Sequence, residues 1–76
     1  MMWNDEKGLG RQLLGYYGYE GGYPAGGFLS SLLGTWEKAD MLNRARLSVA
    51  FPELGELLYR FQSMEPEAFR TWVEAL

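Results

Sequence analysis

Carboxylate pairs are the side chains of this chain whose spacing could support chemistry. Glu53 and Glu56 lie three residues apart, and Glu65 and Glu67 lie two apart. Two carboxylates at such spacings can act as acid and base or bind a hard cation. Each pair also adjoins a proline, a residue typical of the first helical turn, where the helix dipole favours acidic side chains. We therefore interpret the pairs as helix-start residues and predict no catalytic residue, no metal site and no cofactor.

Histidine and cysteine are both absent from the 76 residues. Their absence excludes Ser-His and Cys-His nucleophiles, proton transfer by imidazole, and zinc sites with the usual nitrogen and sulfur ligands. The glycine-rich region 8–27 matches neither the dinucleotide-binding fingerprint nor the P-loop, which ends in Lys followed by Ser or Thr. An enzyme would be left with a carboxylate and metal mechanism. The composition therefore favours a protein that is not an enzyme and has no evident small-molecule substrate.

Aromatic residues are abundant, with three Trp, five Tyr and four Phe. A chain of this length buries only about 60% of the surface that its unfolded form exposes, so aromatic surface should remain outside the core. Tyrosine and tryptophan are enriched at protein interfaces. We predict that about half of the clustered tyrosines pack internally and that the others contact a protein partner or a second copy. The predicted contact residues are Tyr16, Tyr17, Tyr19, Tyr23, Trp36 and Trp72.

Nucleic-acid binding is a second and less favoured hypothesis. It would use Arg44 and Arg46, on a short helix that could enter a groove, together with Arg60. The formal charge of −3, with seven basic and ten acidic residues, argues against a binder of polyanions. We therefore interpret Arg44 and Arg46 as a solvated face paired with Asp40, with Glu53 as a second candidate partner.

Helix starts can be read from prolines and capping residues. Pro24, Pro52 and Pro66 each precede a segment with helical apolar spacing, and Asp40 is a good N-cap. The predicted inward faces are Phe28, Leu29, Leu32, Leu33 and Trp36; Leu42, Ala45, Val49 and Ala50; Leu54, Leu57, Leu58 and Phe61; and Phe69, Trp72, Val73 and Leu76.

The N-terminal third is the least regular part. Asn4 is a plausible N-cap for a helix that continues to about Tyr17, although several glycines interrupt it and each would destabilise a helix by about 0.5–1 kcal/mol relative to alanine. Such a helix needs tertiary contacts, and residues 19–23 are its predicted exit loop.

Short connections between the predicted helices require neighbouring helices to fold back on one another. We therefore expect one small all-α domain over residues 1–76, a compact bundle of four to five short helices with a Gly/Tyr-rich loop near its N-terminus. No signal peptide is visible, and no apolar run approaches the ~20 residues that a membrane span needs. The predicted location is the cytoplasm, with no membrane partner.

Three short motifs punctuate the middle of the chain: YPAG at residues 23–26, ADxxNRARL at residues 39–47 and FPE at residues 51–53. In these motifs the chain resembles small uncharacterised proteins of actinobacterial phages and prophages, over about residues 23–58. The resemblance implies a helical fold and, for a phage-encoded chain, the host cytoplasm. It carries no known activity, and it favours a small accessory or host-directed binding protein over a metabolic enzyme.

Overall fold

Five helices account for most of residues 5–76, the part of the chain that the computed structural model describes. They are α1 (Glu6–Tyr16), α2 (Gly27–Lys38), α3 (Met41–Ala50), α4 (Pro52–Ser63) and α5 (Pro66–Glu74). No strand occurs in this range. The Cα radius of gyration is 11.7 Å, so the prediction of a compact all-α bundle is confirmed.

Local capping explains most helix starts. The Asp40 carboxylate accepts a hydrogen bond from the Asn43 backbone N–H at 2.9 Å, and Asp5 accepts one from Gly8 in the same way. Pro52 and Pro66 occupy the first turns of α4 and α5, as predicted. The predicted cap Asn4 lies outside the described residues.

Pro24 precedes α2, as predicted, but it does not occupy the first helical turn. Helix α2 begins at Gly27, and its N-cap is Gly26. Pro24 therefore lies in the loop before α2, where residues 22–26 form no regular secondary structure.

Four of the five helices supply the core. Its buried side chains are Leu9, Leu13 and Leu14 of α1; Leu29, Leu33 and Trp36 of α2; Leu54, Leu57 and Leu58 of α4; and Phe69 and Val73 of α5. The predicted faces of α2, α4 and α5 are largely confirmed, although Phe28 and Leu76 at their ends are exposed.

The loop after α1 folds back against that helix. The backbone N–H of Tyr23 donates to the Arg11 carbonyl, and that of Tyr19 donates to the Leu14 carbonyl, both at 2.9 Å. This requires two glycines, because a Cβ atom at Gly22 would overlap the Gly15 backbone and one at Gly15 would overlap the Tyr23 carbonyl. These tertiary contacts are the kind that a glycine-interrupted α1 needs in order to form.

The predicted inward face of α3 is wrong. Leu42, Ala45, Val49 and Ala50 are exposed, and none of the ten residues of α3 is buried. The helix instead contacts the rest of the molecule through the half-buried Leu47, and it approaches α4 where a Cβ atom on Gly55 would lie 2.9 Å from Ser48 Oγ. An α-helix turns by about 100° per residue, which places Leu47 on the opposite side of α3 from Leu42 and Val49. Helix α3 therefore has apolar residues on two sides, and the side with fewer of them faces the core.

Candidate functional site

Two of the clustered tyrosines, Tyr17 and Tyr19, pack against Phe61 of helix α4. The ring of Tyr17 stacks on Phe61 with centroids 5.1 Å apart, and Tyr16 meets Tyr17 edge-on at 4.9 Å. Tyr19 also approaches Phe61 edge-on, at 5.7 Å. Phe61 in turn contacts the buried Phe69. This chain of rings is a packing arrangement that fixes the end of α1 on α4 and α5.

Tyr17 also connects to helix α2 through its hydroxyl. The phenol donates a hydrogen bond of 2.9 Å to a carboxylate oxygen of Glu37. Burial of the phenol, followed by this bond and the negative charge of Glu37, holds the pKa of Tyr17 well above its usual value. The hydroxyl is therefore neutral at physiological pH, and its role is to hold the end of α1 against α2.

The six predicted contact residues do not form one surface. Trp36 is only 8% exposed and lies in the core, so it cannot serve as a contact anchor in the folded chain. Its indole follows Leu29 and Leu33 on the inward stripe of α2, which explains the burial. Tyr16, Tyr17 and Trp72 are half-buried.

Tyr19 and Tyr23 are the two predicted contact residues with exposed side chains, at 43% and 53%. The guanidinium of Arg11 lies 5.3 Å from the centre of the Tyr23 ring, a cation–π contact. We call Tyr19 and Tyr23 the loop tyrosines.

The three arginines of the nucleic-acid hypothesis have separate partners. Arg44 donates to the backbone carbonyls of Trp36 and Glu37, at 3.1 and 3.0 Å, and so caps the end of α2. Its predicted pairing with Asp40 is replaced by this cap, because the last carbonyls of α2 need donors.

The other two arginines also have neighbours of their own. Arg46 donates to the Asn43 side chain at 3.2 Å. Arg60 lies over the Trp72 ring, 4.2 Å from its centre, and is 4.0 Å from Glu56. Arg60 therefore covers Trp72, while Arg46 lies on an exposed face and bonds within its own helix.

An exposed apolar surface that sequence reasoning missed lies on α3 and α4. Met41 is 87% exposed, Leu42 60%, Val49 84% and Tyr59 74%. We call these four residues the α3–α4 outer surface. A signal for Tyr59 was present in the sequence, because it falls outside the Leu54, Leu57, Leu58 stripe of α4. No such signal existed for α3, whose apolar residues point to two sides.

Charges of opposite sign flank the α3–α4 outer surface. Helix α3 carries Arg44 and Arg46 and no acidic residue, although its N-cap Asp40 is exposed. Helix α4 carries the exposed Glu53 and Glu56 and, near its end, the half-buried Arg60. Arg44 is used in capping α2, so Arg46 is the cation that adjoins the exposed side of α3. We call the exposed Arg46 the basic margin of this surface, and the exposed Glu53 and Glu56 its acidic margin.

Two open grooves lie on the surface, one beside α3 and the other between the loop after α1 and α5. One, between α2 and α3, is lined by Thr35, Lys38, Ala39, Asn43, Arg46 and Leu47. In the other, Arg70 lies between Glu20 at 3.5 Å and Glu67 at 3.4 Å, so its charge is already balanced.

Within residues 5–76, no group of three or more acidic side chains is arranged to hold a metal ion. Among these described helices, none has both the length and the apolar character that crossing a bilayer requires.

Comparison with known proteins adds no relative. No protein family, curated protein or solved structure matches the chain. The resemblance to phage and prophage proteins stays a prediction.

Proposed function

We propose that this chain is a noncatalytic interaction protein that associates with a second copy of itself through exposed apolar side chains. The observation that carries the proposal is the α3–α4 outer surface, where four large apolar side chains are each more than half exposed. Single exposed apolar residues are ordinary, but helices α3 and α4 pack together, and several large apolar side chains exposed on neighbouring helices are typical of an interaction surface.

The distribution of ionisable groups supports a noncatalytic role. No polar or charged residue among the described residues is buried. The strongly raised pKa of Tyr17 has a packing cause, a hydrogen bond that joins the end of α1 to α2. Catalytic groups usually combine a perturbed pKa with a cleft, whereas the Tyr17 ring is stacked against Phe61.

The accessory role and the host cytoplasm follow from the resemblance to phage and prophage proteins and belong to the same proposal. A regulator that binds nucleic acid through Arg44, Arg46 and Arg60 has weaker support, because Arg44 caps α2 and Arg60 covers Trp72. Salt-dependent binding of the chain to duplex DNA would favour that regulator instead.

Sedimentation equilibrium tests the proposed self-association. From about 10 µM to about 1 mM we expect the mean mass to rise from the 8.7 kDa of one chain toward twice that value, since a small interface gives weak affinity. A constant mass of 8.7 kDa over the whole range would refute self-association.

A further inference from the structure

We propose that the self-associated form is a two-fold dimer in which α3 of one copy packs across α4 of the other. This inference rests on the proposed self-association and names its surface. The contact brings the exposed Leu42 and Val49 of one copy against the exposed Tyr59 of the other. In a two-fold pair each contact occurs twice, and the assembly closes at two copies.

The exposed area is sufficient for a weak dimer. Four large side chains at the exposures of the α3–α4 outer surface present roughly 500 Å², near the upper end of the largest apolar patch on an ordinary monomer. Covering this surface on both copies would bury about 1,000 Å² in total, the lower end for a specific interface. The core does not need these residues, because the other four helices supply it.

Charge determines how the two copies are arranged. If α3 faced α3 of the second copy, Arg46 and its symmetry mate would enter the same interface, and like charges disfavour that contact. If α3 faces α4, Arg46 meets the margin that carries Glu53 and Glu56. All three residues are exposed. Arg46 bonds to Asn43 and Glu56 pairs with Arg60 within the chain, but such exposed pairs are weak and can be exchanged for a contact between copies.

A second copy is favoured over an unrelated partner because both margins are on one chain. The basic margin of α3 and the acidic margin of α4 are complementary to each other. An unrelated acidic protein could pair with Arg46, but its negative charge would then also face Glu53 and Glu56 and repel them. The two-fold dimer satisfies both margins at once.

A charge-exchange experiment tests the arrangement. Arg46→Glu and Glu56→Lys are made as separate variants, and their masses are measured by sedimentation equilibrium alone and mixed in equal amounts. Each variant alone places like charges at both symmetric contacts, so we expect its dimer to dissociate at least about tenfold more readily than the wild-type dimer. In a mixed dimer, the glutamate introduced by Arg46→Glu meets the lysine introduced by Glu56→Lys at one contact, while the other contact keeps its native pair.

We therefore expect the equimolar mixture to recover the wild-type dimer affinity within about threefold. Damage to folding could not be repaired by mixing, and circular dichroism checks that each variant keeps its helix content. The Glu56–Arg60 ion pair that Glu56→Lys removes is exposed, so its loss should hardly affect stability. Failure of the mixture to dimerise, while the wild type does, would overturn the α3–α4 pairing.

Two apolar variants distinguish this inference from the broader proposal. Val49→Glu charges the α3–α4 outer surface and should abolish the dimer, whereas the control Tyr23→Ser changes a loop tyrosine and should leave the dimer intact. A wild-type dimer that survives Val49→Glu but dissociates in Tyr23→Ser would overturn the inference and keep self-association. A wild-type chain that is monomeric throughout would overturn both.

Discussion

Single residues connect elements that are distant in the chain, and Tyr17 is the clearest example. Its ring stacks on Phe61 of α4, and its hydroxyl binds Glu37 of α2, which is 20 positions away. A local sequence pattern cannot reveal such a pair. The tyrosines could be predicted to contact something, but their packing against α4 depends on how the helices are arranged in space.

Replacing Tyr17 by phenylalanine should change how stability depends on pH. Because burial and Glu37 raise the pKa of Tyr17, the folded state prefers the neutral phenol. The unfolded phenol ionises near its usual pKa of about 10, so this residue's contribution to stability is full below about pH 10 and falls as pH rises above it. In Tyr17→Phe, urea unfolding should show about 0.5–1.5 kcal/mol less stability at pH 8 and a smaller further loss by about pH 11.

Tyr23→Phe is the matched control for that measurement, because it removes the hydroxyl of an exposed tyrosine. Its stability should follow the wild-type curve closely over the same pH range. An unchanged pH dependence in Tyr17→Phe would show that the Tyr17–Glu37 hydrogen bond does not couple folding to ionisation.

At the scale of elements, the loop after α1 depends on close backbone approach. Gly22→Ala would place a Cβ atom against the Gly15 backbone, which cannot move without shifting α1. We expect a loss of about 2–4 kcal/mol in the free energy of unfolding, measured with urea, because overpacking against backbone is hard to relieve.

Gly34→Ala provides the contrasting control. A Cβ atom at Gly34 would meet nothing within 4 Å, and the residue lies inside α2. Alanine there should stabilise the fold by about 0.5–1 kcal/mol through its helix propensity. Equal effects of the two substitutions would contradict the close approach of Gly15 and Gly22.

Elements also show which parts of the fold the sequence could predict. The starts of α3, α4 and α5 could be predicted because Asp40, Pro52 and Pro66 act on their own helical turns. The inward faces of α4 and α5 could be predicted because each carries one dominant apolar stripe. Helix α3 carries apolar residues on two sides, and periodicity alone does not say which side meets the core.

The candidate surface could not be predicted for the same reason. Two of its four residues, Leu42 and Val49, lie on the side of α3 that periodicity had assigned to the interior. The aromatic count correctly indicated apolar surface beyond what the core holds, but Trp36 entered the core, and of the five tyrosines only Tyr16 and Tyr17 pack against it. The exposed surface therefore contains aliphatic residues that an argument based on aromatics does not identify.

The whole molecule has a core built from α1, α2, α4 and α5, with α3 lying outside it. A chain of 76 residues with such a core is expected to be only marginally stable. Dimerisation through α3 would add stability, because binding a second copy stabilises the folded state by mass action. The stability of the chain should therefore depend on its concentration.

Thermal unfolding measures that dependence directly. In a domain of this size each kcal/mol of stabilisation raises Tm by about 4–8 °C, so Tm of the wild type should rise by several degrees between about 10 µM and about 1 mM. Val49→Glu should show one Tm at all concentrations, because it removes the second copy while the exposed side of α3 contributes little to the folded monomer. A wild-type Tm that does not change with concentration would contradict a role for self-association in stability, since a dimer that forms only from folded chains must shift the unfolding equilibrium.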